Sequence, residues 1–283
     1  MTPAAVDRYA VIGNPVMHSR SPFIHRAFAL ATGQAIEYTR LACPMDGFEP
    51  ALRGFAAGGA RGCNVTLPFK FDTPRLAARC TARAALAGAA NTLRFDEDGW
   101  LADNTDGIGL VRDIERNASV AIAGRRLLLI GAGGAGAGAL GALLEAAPAE
   151  LTVANRTLQK AADLVARHQG AARAFGVRLR AAALERCGAG FDVVVNATTT
   201  SLEGVAAPVD AAVLGPGALA LDMMYGPAAA PFLAWAARHG ATGRDGLGML
   251  VEQAAQAFSL WRGVLPETAP VLDALRQRWD ETA

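Results

Sequence analysis

Ser19 and Ser21 sit between an apolar run at residues 9–12 and a stretch of helical spacing. Pro22 after Ser21 reads as a helix start, with Ser21 as N-cap and Pro22 at the first helical position. By type, a serine there is a cap. Two hydroxyls beside a helix N-terminus also suit a carboxylate. Lys70 closes the string Asn64-Val65-Thr66-Leu67-Pro68-Phe69-Lys70. The residue before a proline leaves the α region, so a loop begins near Leu67. An ammonium at that place stands at the C-terminal edge of a strand, where open α/β sheets take ligands. By type alone it is a solvated surface lysine. Asp106, in Asp103-Asn104-Thr105-Asp106-Gly107, is with Thr105 a natural cap for a helix over 108–115.

A second kind of chemistry follows at residues 126–140. Four aliphatic residues run into Gly131-Ala132-Gly133-Gly134-Ala135-Gly136. Glycines at 131, 133 and 136 fit G-x-G-x-x-G, which in a strand–turn–helix holds a dinucleotide pyrophosphate at a helix N-terminus. Residues 127–144 carry no charge, the length of a membrane helix. Six glycines in that window favour a strand-to-helix switch at Gly131 instead. Asn155 stands 19 positions after Gly136, where NAD-binding proteins carry an acid for the ribose hydroxyl. A neutral residue followed by Arg156, with Thr157 and Lys160 close by, favours the extra 2′-phosphate of NADP.

The elements that must position these residues follow from pattern. Strands are expected at 9–12, 36–41, 62–65, 89–95, 151–154, 176–180, 191–195 and finally 219–222. Helices are expected from 23 to Gly33, then at 47–57, 75–88, 108–115, 158–168, 231–239, 245–261 and 271–279. Residues 117–124 read as a linker. Strands alternating with helices from about 125 to 240 describe a parallel, doubly wound sheet. In the last long helix Met249, Gln253, Gln256 and Leu260 share a face, and Gln253 is by type exposed filler.

Composition bounds the function. The 283 residues are 52% hydrophobic, enough for one large domain or two ordinary ones. A net charge of +1 with scattered basic residues offers no footprint for nucleic acid or an anionic membrane. Four separated cysteines and four histidines form no metal-binding spacing. Asp7 and Arg8 interrupt the first apolar run, which predicts no secretory segment. A reducing, cytoplasmic setting is the expectation.

Taken in order, Gly13-Asn14-Pro15, Ser19-x-Ser21-Pro22, Asn64-Val65-Thr66-x-Pro68-x-Lys70, Ala90-Asn91-Thr92 and Asp103-Asn104-Thr105-Asp106-Gly107 precede the glycine turn. Asn155-Arg156-Thr157, Asn196-Ala197-Thr198, Asp222 with Tyr225-x-Pro227, and Asp245-Gly246-x-Gly248-Met249-Leu250 follow it. This order resembles the shikimate dehydrogenase family of the aromatic-amino-acid pathway, over about residues 8–275. The resemblance implies reversible, NADPH-dependent reduction of 3-dehydroshikimate to shikimate. It implies that Ser19 and Ser21 hold the substrate carboxylate. Thr66, Lys70, Asn91 and Asp106 hold the ring hydroxyls and the reacting carbonyl, and Tyr225 and Gln253 close the site. Gly131, Ala132, Gly133, Gly134, Ala135, Asn155, Arg156, Thr157, Lys160, Met223 and Gly246 contact NADP. Lys70 and Asp106 are the implied catalytic pair, and either can carry the proton. No metal is implied. The sequence departs from the family at Thr199-Thr200-Ser201, at Gly136-Ala137 and at Ala82.

The implied fold is α/β in two domains. Residues 1–105 with 246–283 form a substrate-binding and catalytic domain, and residues 106–245 a Rossmann-type NADP-binding domain. Helices after 246 return to the first, and the active site is expected in a cleft that closes on its ligands. The expected enzyme is a monomer or homodimer acting on a small molecule. A quinate-preferring, NAD-tolerant relative is the near alternative, disfavoured by Arg156 and the serine pair. A non-catalytic ligand sensor would need no Lys70/Asp106 pair. A folate-type dehydrogenase would not need the two serines.

Overall fold

The computed structural model describes residues 6–204 and 206–280, without the side chains of 202, 203 and 278–280. The chain divides into two compact units. Unit 1 is Met1–Gly109 with Leu250–Ala283, and unit 2 is Leu110–Met249.

Unit 1 is built on a six-stranded sheet. Its strands are β1 (Asp7–Gly13), β2 (Ile36–Ala42), β3 (Ala60–Val65), β4 (Arg79–Cys80), β5 (Thr92–Arg94) and β6 (Leu101–Asp103), in the order β2-β1-β3-β5-β6-β4. β1 is parallel to β2 and β3, while β5 runs antiparallel to β3 and β6. Helices α1 (Ser21–Thr32), α2 (Phe48–Ala57) and α3 (Ala82–Ala87) connect them. α4 (Asp106–Arg112) leads out of the unit. Gly13 ends β1 beside Thr66, and a Cβ on Gly13 would lie 2.3 Å from the Thr66 methyl. Only a residue without a side chain lets the two strand ends approach so closely.

Unit 2 carries six parallel strands: β7 (Arg126–Ile130), β8 (Glu150–Ala154), β9 (Arg178–Ala182), β10 (Phe191–Asn196), β11 (Leu214–Asp222) and β12 (Thr242–Arg244). Their order is β12-β11-β10-β7-β8-β9, that of the Rossmann fold, with the strand order reversing between β7 and β10. Helices α5 (Gly134–Glu145), α6 (Leu158–Ala174) and α7 (Ala230–Arg238) connect them. Leu127, Leu129, Val193 and Val195 are buried with Leu140 and Leu143 of α5 on one face of the sheet. Leu128, Ile130 and Val194 are buried with Phe232 and Trp235 of α7 on the other. Strands buried on both faces explain the unbroken aliphatic runs. α8 (Leu247–Arg262) and α9 (Ala269–Asp280) end the chain.

Several expectations are corrected. Residues 75–88 are a 3-10 turn, strand β4 and the short helix α3. Thr81 caps α3, accepting from the Ala84 N–H, and its hydroxyl also donates to Asp103 at 2.6 Å. The Arg83 guanidinium forks onto the same carboxylate. These ties to β6 override the helical propensity of an alanine-rich segment. Ser21 is not the cap of α1. It is the first helical residue and Arg20 precedes it, while Ser19 Oγ accepts from the Ser21 N–H at 3.3 Å. Asp106 likewise opens α4 rather than capping it, and its own N–H donates to Asn104 Oδ1 at 3.1 Å. α6 runs through Gly170 to Ala174, and the last strand is β12, not β11. Among the described residues no helix is long and apolar enough to cross a membrane.

Candidate active site

In unit 1 all of the predicted substrate residues but Tyr225 gather where β1 and β3 end and antiparallel β5 begins. Lys70 lies in a 3-10 turn, Phe69–Phe71, tied down by a 2.9 Å bond from the Ala90 N–H to the Lys70 carbonyl. Its Nζ donates to Asp106 Oδ2 at 2.6 Å, with both side chains largely buried. Asn91 Nδ2 donates to the other carboxylate oxygen at 2.8 Å. Gln253 reaches the same cluster from α8, its Oε1 3.2 Å from Asn91 Nδ2 and from Thr105 Oγ1. Gln253 is therefore a buried network residue, against the reading by type. Thr66 is half-buried in the loop after β3, its N–H donating to the Ile12 carbonyl at 2.9 Å.

Ser19 and Ser21 are buried together at the start of α1, with Ser19 Oγ donating to Ser21 Oγ at 3.2 Å. Arg40 of β2 forks onto the Ser19 carbonyl at 3.0 and 2.6 Å. Two hydroxyls held side by side at a helix N-terminus can donate together to one carboxylate.

In unit 2 the glycine turn has the shape that a dinucleotide requires. Gly131 has φ +108°, which favours glycine. A Cβ on Gly136 would meet the Gly131 carbonyl oxygen at 2.1 Å, so the third glycine lets α5 pack on β7. A Cβ on Gly133 would point into open space, and Gly133 caps α5 without a side-chain bond. The N–H groups of Gly134 and Ala135 are thus the first of an uncapped helix. Asn155 Oδ1 accepts from the Ala132 N–H at 3.1 Å and Asn155 Nδ2 donates to the Thr157 carbonyl at 2.9 Å, binding the turn to the Arg156 loop. Arg156 and Lys160 are exposed and form no ion pair among the described residues. An open cradle, free N–H groups and an unpaired guanidinium fit the phosphates of NADP.

Met223 and Gly246 also meet, since a Cβ on Gly246 would lie 2.4 Å from the Met223 carbonyl oxygen. Tyr225 follows Met224 at the end of β11 and is half-buried in unit 2. Asp222 anchors this corner. Burial pushes its carboxyl above the usual range, and bonds from Ser201, the Met224 N–H and Asn196 pull the other way. Ser201, one of the departures from the family pattern, thus ties two loops together. Gly248 has a similar reason. A Cβ there would overlap the Asp113 carboxylate, which holds the Arg244 guanidinium at 2.9 Å through Nε.

Sequence reasoning left Thr92, Thr105 and Tyr38 out of the site. Thr92 pairs with Asn64 across the antiparallel β3/β5 ladder. No sequence pattern announces a register between residues 28 positions apart, but a polar residue between Asn91 and the apolar Leu93 was a usable signal.

A Rossmann-ordered unit with an open glycine cradle, in one chain with a largely buried lysine–carboxylate pair, defines a nicotinamide-nucleotide-dependent dehydrogenase. Residues 11–93 match the family model described as shikimate dehydrogenase substrate binding domain, residues 113–207 that of shikimate / quinate 5-dehydrogenase, and residues 246–276 that of shikimate 5'-dehydrogenase C-terminal domain. The shikimate dehydrogenase (NADP(+)) of Methylibium petroleiphilum is 63% identical over 279 residues, covering 96% of this chain and 95% of its own. That of Acidovorax sp. is 58% identical over 273 residues, covering 96% and 97%. Among solved structures, an Ael1 enzyme from Pseudomonas putida is similar with a TM-score of 0.86 at 46% identity, covering 95% of this chain and 98% of its own. Shikimate 5-dehydrogenase from Thermus thermophilus in complex with shikimate has a TM-score of 0.83 at 32% identity, covering 97% and 100%. The chain belongs to the shikimate dehydrogenase family.

Proposed function

We propose that this chain catalyses the reversible, NADPH-dependent reduction of 3-dehydroshikimate to shikimate, a step of aromatic amino-acid biosynthesis. The observation that carries this reading is the Lys70–Asp106 pair, held at 2.6 Å and steadied by Asn91. When bound, NADPH would supply the hydride for the carbonyl carbon, and the carbonyl oxygen that gains negative charge has to be met by this chain's own residues. The Lys70 ammonium neutralises that charge and delivers a proton to the oxygen. In the reverse direction Lys70 takes the proton of the hydroxyl. Asp106 is the orienting partner, because both of its oxygens already accept bonds while Lys70 keeps N–H groups to offer.

Ser19 and Ser21 hold the ring carboxylate, and Thr66, Asn91 and Gln253 hold hydroxyls. Tyr225 closes over the substrate. Gly131 to Ala135 receive the pyrophosphate, Arg156 with Thr157 and Lys160 the 2′-phosphate, and Met223 and Gly246 the nicotinamide side. Asn155 keeps the two phosphate loops in register. The enzyme works in the cytoplasm as a monomer or homodimer without a nucleic-acid partner. Free thiols at Cys43, Cys63, Cys80 and Cys187 and the net charge of +1 support that setting.

The test crosses shikimate and quinate with NADP+ and NAD+, following absorbance of the reduced nicotinamide. The highest kcat/KM is expected for shikimate with NADP+. Faster turnover of quinate with NAD+ would reassign the chain to the quinate branch.

A further inference from the structure

Tyr38 lies on the edge strand β2, half-buried, with its ring stacked on His25 at 4.2 Å and 7°. Its hydroxyl is 2.7 Å from Asn64 Oδ1. Asn64 Nδ2 is 3.0 Å from Thr92 Oγ1, Thr92 Oγ1 is 2.8 Å from Asn91 Oδ1, and Asn91 Nδ2 is 2.8 Å from Asp106 Oδ1. Groups with only one role fix the direction of this chain. The Thr105 backbone N–H can only donate, and it points at Asn91 Oδ1 at 2.9 Å. The Asn91 carbonyl can only accept, and it faces Asn64 Nδ2 at 3.3 Å. Both amides are therefore oriented, and every proton between Tyr38 and Asp106 points toward the carboxylate.

We propose that Tyr38 is a positioning residue for proton transfer: its hydroxyl anchors the outer end of the chain Tyr38–Asn64–Thr92–Asn91, which ends on Asp106 and aims Lys70. The inference rests on the function proposed above. Without the phenol proton, Asn64 Oδ1 is a buried acceptor that has lost this donor, and the amide is held from its Nδ2 side alone, by the Asn91 carbonyl and Thr92. Asn64 then holds Thr92 less firmly, and the Thr92 hydroxyl is one of the donors that orient Asn91. The Asp106 carboxylate is then less firmly placed by Asn91, and Lys70 with it. Ser21 stands beside the Tyr38 oxygen, so the carboxylate end of the substrate site reaches the same residue.

The test compares wild type with Tyr38→Phe, Thr92→Val and the double variant. Each exchange removes a hydroxyl while keeping the shape of the side chain. Each single variant should lower kcat for shikimate oxidation about tenfold, the scale of one hydrogen bond in the transition state. The KM for NADP+ should not change. The double variant should fall no further than the worse single, because both hydroxyls are links of one chain. Thr92→Ser, which keeps the hydroxyl, should restore kcat even if Tyr38→Phe fails to fold. An unchanged kcat in Tyr38→Phe, additive losses in the double variant, or a Thr92→Ser as slow as Thr92→Val would each overturn the inference. A wild type inactive with shikimate would overturn the proposed function itself. An active wild type matched by Tyr38→Phe would remove only the role of Tyr38.

Discussion

Lys70 and Asp106 are separated by 36 residues and meet at 2.6 Å with little solvent between them. In the proposed mechanism, removing the ammonium leaves the developing oxyanion without its cation and its proton source. Lys70→Ala should lower kcat by at least about two orders of magnitude with a smaller change in the shikimate KM, read from steady-state kinetics. The proposed function gives Arg156 a different task. It is exposed and unpaired, so its guanidinium is available to a 2′-phosphate but does nothing for NAD+. Arg156→Ala should raise the KM for NADP+ about tenfold or more and leave that for NAD+ unchanged. Equal effects on both nucleotides would place Arg156 elsewhere. Residue types and order singled out both residues as candidates. What type alone misread was Gln253, because exposure is decided by what packs on α8 and not by the amide itself.

The glycine turn separates two roles that look identical in sequence. Gly136 lets α5 lie on β7, and a methyl group there would meet the Gly131 carbonyl oxygen at 2.1 Å. Gly136→Ala should destabilise the protein by about 1–3 kcal/mol, the usual cost of overpacking, seen as a lower urea midpoint. Gly133→Ala places its methyl group in open space, so stability should hold while NADP+ binding weakens in titration calorimetry. Matching midpoints for Gly136→Ala and wild type would show that α5 can shift freely. The buried parallel strands are legible in the sequence because a short aliphatic run that stops at a glycine or a polar turn suits a strand covered on both faces. The segment 75–88 is not legible in this way, because its alanines favour helix. The contacts of Thr81 and Arg83 with Asp103 come from a strand that pairs only in the folded sheet.

At the scale of the whole chain, His25 couples folding to pH. It is fully buried among Phe28, Tyr38, Phe258 and Trp261, and neither ring nitrogen has a hydrogen-bond partner among the described residues. Burial lowers its pKa to about 3, with Asn64 offsetting only part of that. In the unfolded chain the same ring takes its proton near the ordinary value of 6.5. Between those values the unfolded state binds the extra proton, so stability is fully present above about pH 6.5 and falls as pH drops toward 3. The loss should approach about 1.4 kcal/mol per pH unit from this residue. His168, buried with a lowered pKa, adds in the same direction. Urea unfolding between about pH 6 and about pH 4 should be less steep in its pH dependence for His25→Phe by about one proton. Equal slopes would remove His25 as the source.

The sequence by itself determined the classes of chemistry and the two-unit plan. Motifs such as Ser19-x-Ser21-Pro22 and the glycine turn require particular side chains, or none, at particular spacings along one short segment. Tertiary structure alone decided which distant polar groups share protons. The ladder that sets Asn64 against Thr92, the reach of Tyr38 from an edge strand and the return of α8 with Gln253 depend on strand register and helix packing. Those are fixed by burial over the whole unit, and no local string of residues contains them.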